Sequence, residues 1–112
     1  MKAAYTHKHY SHMHHIGIDD YVVDVLLPDL VGHDRSPAAF LIYLYLWRRA
    51  AARGKVQLSY TTMAVDTGLS KASAQRGVAL LKRRKLITMR KEAATAVPEY
   101  RVNRPWVGRV PG

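Results

Sequence analysis

Residues 59–87 read SYTTMAVDTGLSKASAQRGVALLKRRKLI, and this stretch decides the fold. Ser59 and Ser70 each precede a run of helix-forming residues, where a serine hydroxyl accepts a hydrogen bond from a first-turn N–H group. Gly68 lies between the two runs, at a helix end where glycine adopts a left-handed backbone at little steric cost. The stretch therefore predicts a short helix, a tight turn and a longer helix that ends in the cationic run Lys82–Lys85.

Both predicted helices have an apolar side and a polar side. The apolar residues are spaced so that two crossed helices share one buried seam, and they are Met63, Ala64, Leu69, Ala74, Val78 and Leu81. The opposite face of the second helix carries hydrogen-bond donors and no acid, namely Lys71, Ser73, Gln75 and Arg76. This face suits the major groove of DNA, because amide and guanidinium groups form the bidentate pairs that distinguish adenine and guanine.

The motif resembles the helix-turn-helix of winged-helix proteins from bacteria and phages, both regulators and replication-type proteins. The resemblance lies in Leu58–Ala64 and Gly68–Arg76, with a Gly-Leu-Ser turn, and in Leu86-Ile87 at the start of a wing. It extends over about Pro37–Asn103. It implies an α+β, mainly α fold: a winged helix-turn-helix with a three-helix core and an antiparallel hairpin.

Two residues depart from the pattern of that family. Ala74 stands where a larger aliphatic residue is usual, and Gly77 is a poor helix former that costs about 0.5–1 kcal/mol relative to Ala. We expect two helix axes to approach closely at Ala64 and Ala74, because both side chains are small.

Composition predicts one intracellular domain. The chain has 112 residues and 48% hydrophobic content, which suffices for one modest core. It contains no cysteine, which excludes disulfides and thiolate metal sites and fits a reducing cytoplasm. Residues 1–16 contain no apolar run of a signal peptide, and the longest apolar stretch, Ala38–Trp47, is too short to cross a bilayer. We expect a soluble, cytoplasmic, nucleoid-associated protein with no membrane partner.

The net charge of +10 is unevenly distributed. Residues 1–35 hold three Lys or Arg and five Asp, a net charge of −2, whereas residues 36–112 hold fifteen Lys or Arg and three acids, a net charge of +12. A field of this sign attracts polyanions and speeds their encounter. Charge and motif together predict double-stranded DNA as the partner; the alternatives are a basic surface that keeps the protein soluble, or affinity for anionic lipid.

The first fifteen residues are rich in histidine. Five histidines are candidate metal ligands, because neutral imidazole binds Zn, Ni or Cu: His7, His9, His12, His14 and His15. Their spacing matches no closed structural site, and no carboxylate or thiolate accompanies them. We therefore interpret residues 1–15 as an arm, with the metal site as the weaker alternative, and predict no cofactor.

The segment 16–31 is predicted as a strand or short irregular element, because Tyr21–Leu27 is apolar and β-branched and Pro28 stops it. Ser36-Pro37 then indicates a helix start that leads into a helix from Ala38 to about Arg53, which Gly54 ends. This helix is apolar nearly all round and must be covered on two sides. The helix-turn-helix covers one side. The N-terminal segment or a second subunit covers the other, and a homodimer through helix 38–53 and the N-terminal segment is one alternative.

Short strands are predicted on both sides of the helix-turn-helix. Val56–Leu58 is positioned to pair with a wing whose strands are Leu86–Lys91 and Tyr100–Val102, joined by the loop 92–98. In the tail that follows, Trp106 is expected to anchor back onto the domain. The predicted organisation is an arm and covering segment at 1–35, a winged helix-turn-helix domain at 36–103 and a tail at 104–112.

The function predicted from these features is sequence-specific binding of double-stranded DNA by a bacterial or phage transcriptional regulator, with a recognition helix at about 71–84 in the major groove. Base-edge candidates are Lys71, Ser73, Gln75 and Arg76, and residues predicted to contact the backbone or the wing's groove are Ser59, Tyr60, Thr61, Ser70, Lys82, Arg83, Arg90 and Lys91.

Two other functions fit the same fold. One is the DNA-binding module of a plasmid or phage replication initiator, and the other is a winged-helix module that binds a protein. Catalysis is not expected, because no Ser, His and Asp combination has the local context of a nucleophilic triad.

Overall fold

The computed structural model of the protein describes residues 14–108. Their elements are an N-terminal helical segment made of two π-helical turns, Val22–Leu26 and Pro28–His33, then α1, β1, α2, α3, β2 and β3. The bounds of the six later elements are Pro37–Ala50, Val56–Gln57, Tyr60–Thr67, Lys71–Arg83, Ile87–Arg90 and Glu99–Val102, in that order. This is the α+β winged helix-turn-helix fold that the sequence predicts, with the helical segment added.

Helix α1 lies at the centre of the core. The Ser36 hydroxyl accepts a hydrogen bond from the Ala39 N–H at 3.1 Å, as a cap does, and Pro37 occupies the first turn, where its missing N–H is not needed. The side chains of Ile42, Tyr43 and Leu46 are completely buried. The helix is shorter than predicted: it ends at Ala50, and a turn closed by Gly54 follows it.

The helix-turn-helix has the local structure that its sequence indicates. Ser59 accepts a hydrogen bond from the Thr62 N–H at 3.1 Å, and Ser70 accepts one from the Ser73 N–H at 3.0 Å. Gly68 ends α2 with φ 80°, which is the predicted left-handed conformation. Of the predicted seam, Met63, Ala74, Val78 and Leu81 are buried, and Ala64 and Leu69 are partly buried.

Helix α3 packs closely on the start of α1 at Gly77. A Cβ placed on Gly77 would lie 3.3 Å from the backbone nitrogen of Ala39 and 3.4 Å from the carbonyl group of Ala38. Gly77 lowers the helix propensity of α3, but because it has no side chain it permits this close approach to α1. Ala74 is also completely buried, and its small side chain likewise leaves room for the close packing of α3 on α1.

The prediction of a strand or short irregular element at 16–31 is wrong for Tyr21–Leu27, because these residues are helical. The Leu27 N–H donates to the Val22 carbonyl, five residues back, and Pro28 begins the second turn instead of ending the element. Val22, Leu26 and Leu30 are spaced by four and are all buried in the core that includes α1. Burial of this helical row outweighs the β propensity of the valines, since propensity is a weak preference that tertiary context overrides.

The N-terminal helical segment packs against α1 and supplies part of its cover from within the same chain. Of the two alternatives for that second side, the structure shows the N-terminal segment. The predicted homodimer is not needed for this purpose and stays a prediction. Among residues 14–108, no helix is long and apolar enough to cross a bilayer.

The three strands form one antiparallel sheet in the order β1-β3-β2. Val56 lies opposite Tyr100 on one side of β3, and Met89 lies opposite it on the other. Tyr100 is completely buried, so this face of the sheet closes the core. The opposite face contains Thr88 and Arg101, which pair with each other across β2 and β3.

Arg104 and Trp106, which follow β3, contact Asp19 and Tyr21, which precede the N-terminal helical segment. The Trp106 ring stacks on Tyr21 with centroids 4.5 Å apart, and its indole N–H donates to Asp19 at 2.8 Å. Arg104 donates two hydrogen bonds of 2.9 Å to the same carboxylate. These contacts, first that of Trp106 and then that of Arg104, lower the pKa of Asp19. The predicted anchoring by Trp106 is confirmed.

The close packing at Gly77 makes a prediction about stability. Gly77→Leu should lower the free energy of unfolding by about 1–3 kcal/mol, because the added side chain meets the α1 backbone. The matched variant Ala79→Leu, on the exposed side of the same helix, should change it by no more than about 0.5 kcal/mol. Urea unfolding followed by circular dichroism measures both, and equal stability of the two variants would contradict the close approach.

Candidate nucleic-acid interface

The exposed positions of α3 form one continuous face. At 100° per residue they span an arc of about 140°, and they are Lys71, Ala72, Gln75, Arg76, Ala79, Lys82 and Arg83. The buried positions Ala74, Gly77, Val78 and Leu81 lie on the other side. No acidic residue occurs anywhere in α3, so the outward face is cationic and rich in donors.

The base-edge candidates divide into three exposed side chains and one that supports them. Lys71, Gln75 and Arg76 are exposed, as the DNA-binding interpretation requires. Ser73 is partly buried, and its hydroxyl accepts hydrogen bonds from Ser70 at 3.0 Å and from the Arg76 guanidinium at 3.3 Å. Ser73 therefore orients Arg76, which keeps further N–H donors for a ligand because a guanidinium has five.

The start of α2 lies outward as well, but not with every predicted side chain. Thr61 is exposed, and Ser59 uses its hydroxyl to cap the helix. The ring of Tyr60 packs on the hydrophobic core. Tyr60 can contact a phosphate only through its backbone. At the first turn of a helix the N–H groups lack intrahelical partners and the helix dipole is positive.

The run Lys82–Lys85 does not act as one group. Lys82 and Arg83 lie on the exposed face of α3, and Lys85 is exposed just beyond it. Arg84 points instead to the N-terminal helical segment, where its guanidinium donates to the carboxylates of Asp29 and Asp34. Arg84 is therefore not part of the exposed cationic face, because two nearby aspartates already bind it.

This ion-pair cluster has electrostatic consequences. The hydrogen bond from His33 and then the charge of Arg84 lower the pKa of Asp34, and the hydrogen bond to Asp29 raises the pKa of Arg84. The Asp34 side chain is 16% exposed, so water and salt screen this pair less than a pair at the open surface. The cluster ties the end of α3 to the segment that precedes α1.

The wing presents its cations on the outer face of the sheet. Arg90 is exposed at the end of β2, and Lys91 is exposed at the start of the loop, where its ammonium donates to the Ala94 carbonyl at 3.4 Å. Arg101 is exposed on the same face as Thr88, yet the sequence interpretation did not include it among the candidates. The outward position of Arg101 follows from strand alternation, because successive side chains point to opposite faces and Tyr100 is buried.

Two acidic residues near these surfaces are paired: Glu99 lies 3.7 Å from both Lys55 and Arg101, and Asp66 is bound from α1. Asp66 accepts a hydrogen bond from the Tyr45 hydroxyl at 2.5 Å and one from Arg49 at 3.2 Å. Burial, and then the hydrogen bond to Asp66, raises the pKa of Tyr45 to about 12. Asp66 thus fixes the end of α2 to α1, while α3 keeps its cationic face.

Two of the five histidine candidates, His14 and His15, lie within the described residues. Within residues 14–108, no three His, Cys, Asp or Glu side chains lie together as metal ligands would. His14 and His15 are exposed. His7, His9 and His12 lie outside the described residues, so the metal alternative stays a prediction.

The lowered pKa of Asp34 predicts a specific acid response. Because the folded pKa is below the unfolded value of about 3.9, the stability contributed by this carboxylate is present above that pH and is lost as the pH falls through the folded pKa. Asp34→Asn should therefore be less stable than the wild type at pH 6, with a gap that narrows below about pH 4. Urea unfolding between pH 6 and pH 3 tests this.

A matched control for that experiment is Asp24→Asn, which removes an exposed carboxylate from the same segment. It should show a smaller loss of stability at pH 6 than Asp34→Asn. A gap for Asp34→Asn that stays constant across the whole pH range would show that the ion pair with Arg84 adds nothing to the stability.

Comparison with known proteins assigns this motif. Residues 36–87 match a family described as a helix-turn-helix domain. The match contains α1, β1, α2 and α3 and ends at the first residue of β2. Searches of curated proteins and of solved structures found no match. The motif suggests DNA binding.

Proposed function

We propose, from the match of residues 36–87 to a helix-turn-helix domain, that the protein binds double-stranded DNA sequence-specifically through α3. The observation that carries the proposal is the exposed, acid-free face of α3, with Lys71, Gln75 and Arg76 directed away from the core. We further propose that the protein is a transcriptional regulator of bacterial or phage type that acts at the nucleoid.

Direct reading of bases falls to the first half of α3. Arg76 suits guanine and Gln75 suits adenine, because each side chain presents two polar groups that match the edge of that base. Ala72 and Ala79 lie between these residues on the exposed face. Their small side chains let the helix backbone approach the floor of the groove, and a methyl group suits contact with thymine.

Contacts with the phosphates surround this reading surface. The first turns of α2 and α3, capped by Ser59 and Ser70, offer N–H groups at positive helix ends. Lys82 and Arg83 extend the contact along α3, and Arg90, Lys91 and Arg101 extend it onto the wing. The charge of +12 over residues 36–112 supports such a role, since neutralised phosphates release counterions and drive binding.

The function is tested by selecting duplexes from a random pool at fixed salt and measuring Arg76→Ala on the selected and on random duplexes. The variant should lose about 1–3 kcal/mol of binding free energy on the selected duplex and much less on random DNA. Arg48→Ala, which removes an exposed arginine of α1, is the control and should lose little on either. Equal loss on both duplexes would make Arg76 a phosphate contact.

A second test uses the neighbouring residues Arg83 and Arg84. Arg83→Gln should reduce the slope of log binding constant against log salt concentration by about 0.9, the value for one neutralised phosphate. Arg84→Gln should leave that slope unchanged and lower the stability instead, because Asp29 and Asp34 bind this guanidinium. An equal reduction of slope in both variants would contradict the separation of the two arginines.

A further inference from the structure

An open groove of about 410 Å³ lies between the end of α1 and the sheet, and no residue of α3 lines it. Arg49 and Arg53 line it from the end of α1 and the turn that follows. Lys55, Gln57 and Glu99 line it from the strand side. No residue of the predicted DNA-binding set lines it, so its cations are additional to that set.

The groove keeps a positive charge after its ion pairs are counted. Lys55 lies 3.7 Å from Glu99, and Arg49 lies 3.2 Å from Asp66. Arg53 forms no ion pair with any residue in 14–108. The side chains of Arg49 and Lys55 are each 48% exposed, and pairs exposed to this extent are weak. Because Arg49 also helps to fix Asp66 to α1, Arg53 and Lys55 are the cations available to an anion that approaches the groove.

The groove is continuous with the wing and with the start of α2. The Gln57 side-chain amide donates to the Val97 carbonyl in the wing loop at 3.1 Å. The Leu58 N–H donates to the Pro98 carbonyl, also at 3.1 Å. Lys55 precedes Ser59 by four residues of extended chain, so their backbones are at most roughly 13 Å apart. A strand of nucleic acid that meets the first turn of α2 and the wing can reach the groove without leaving the surface.

We propose that this groove binds the phosphates of double-stranded DNA that flanks the recognised site, on the side of the wing. The inference rests on the proposed function and enlarges the surface that contacts DNA. The ligand class follows from the side chains: three cations outnumber the one carboxylate of the lining, Glu99, and cations suit the sugar-phosphate backbone, which carries no sequence information. A membrane surface is disfavoured, because Val56 is the one large apolar side chain in the lining and it is partly buried.

The experiment compares the shortest duplex that the wild type binds specifically with two duplexes lengthened by ten base pairs, one at each end. The wild type should bind one lengthened duplex more tightly than the shortest duplex and than the other. Arg53→Gln/Lys55→Gln should bind all three alike, with unchanged affinity for the shortest duplex. Its salt slope on the preferred duplex should be smaller than that of the wild type by up to about 1.8, or about 0.9 for each lost phosphate contact.

Single variants supply a matched control for charge. Arg53→Gln should lose part of the preference for the lengthened duplex, whereas Arg48→Gln, which removes the same charge from outside the groove, should keep all of it. Equal weakening of all three duplexes by the double variant would overturn the inference, as would a wild type that gains nothing from either extension. Those results leave specific binding intact; a wild type that binds no duplex would overturn the proposed function itself.

Discussion

The packing of α3 against α1 is the constraint on which the rest of the structure depends. Ala74, Gly77 and Val78 form the inner side of α3, and at Gly77 the helix comes close to the backbone of α1. A helix that buries one side so closely has no freedom to rotate about its axis, because interiors are densely packed and rotation would open voids. Burial of the small residues therefore fixes which side chains face outward.

The charged residues also fall into two groups, those that hold the N-terminal segment in place and those on the exposed side of α3. Three aspartates that precede α1 are bound by arginines of the C-terminal half: Asp19 by Arg104, and Asp29 and Asp34 by Arg84. These contacts use acidic residues to hold the N-terminal segment in place. The cations of α3 at Lys71, Arg76, Lys82 and Arg83 remain on the exposed side, where they determine the sign of the surface.

Local patterns were sufficient to predict the helix-turn-helix and the direction of its exposed face. The caps at Ser36, Ser59 and Ser70, the left-handed Gly68 and the apolar seam all depend on residues within one or two turns of each other. The wing strands predicted at Leu86–Lys91 and Tyr100–Val102 lie close to the observed Ile87–Arg90 and Glu99–Val102. The exposed side of α3 was accordingly well predicted, because helical periodicity alone assigns residues to a face.

The sequence by itself determined that α3 would have one apolar side and one donor-rich side, since periodicity is a local property. The tertiary structure decided that residues 22–33 are helical, because their row of buried residues needs α1 to pack against. It also decided that Arg84 binds two aspartates and does not lie on the exposed face with Lys82 and Arg83. Finally, it brought Arg49, Arg53 and Lys55 together with Glu99 in the lining of one groove. Arg84 and its two aspartates are 50 and 55 residues apart in the chain, and no local pattern records a contact across such a separation.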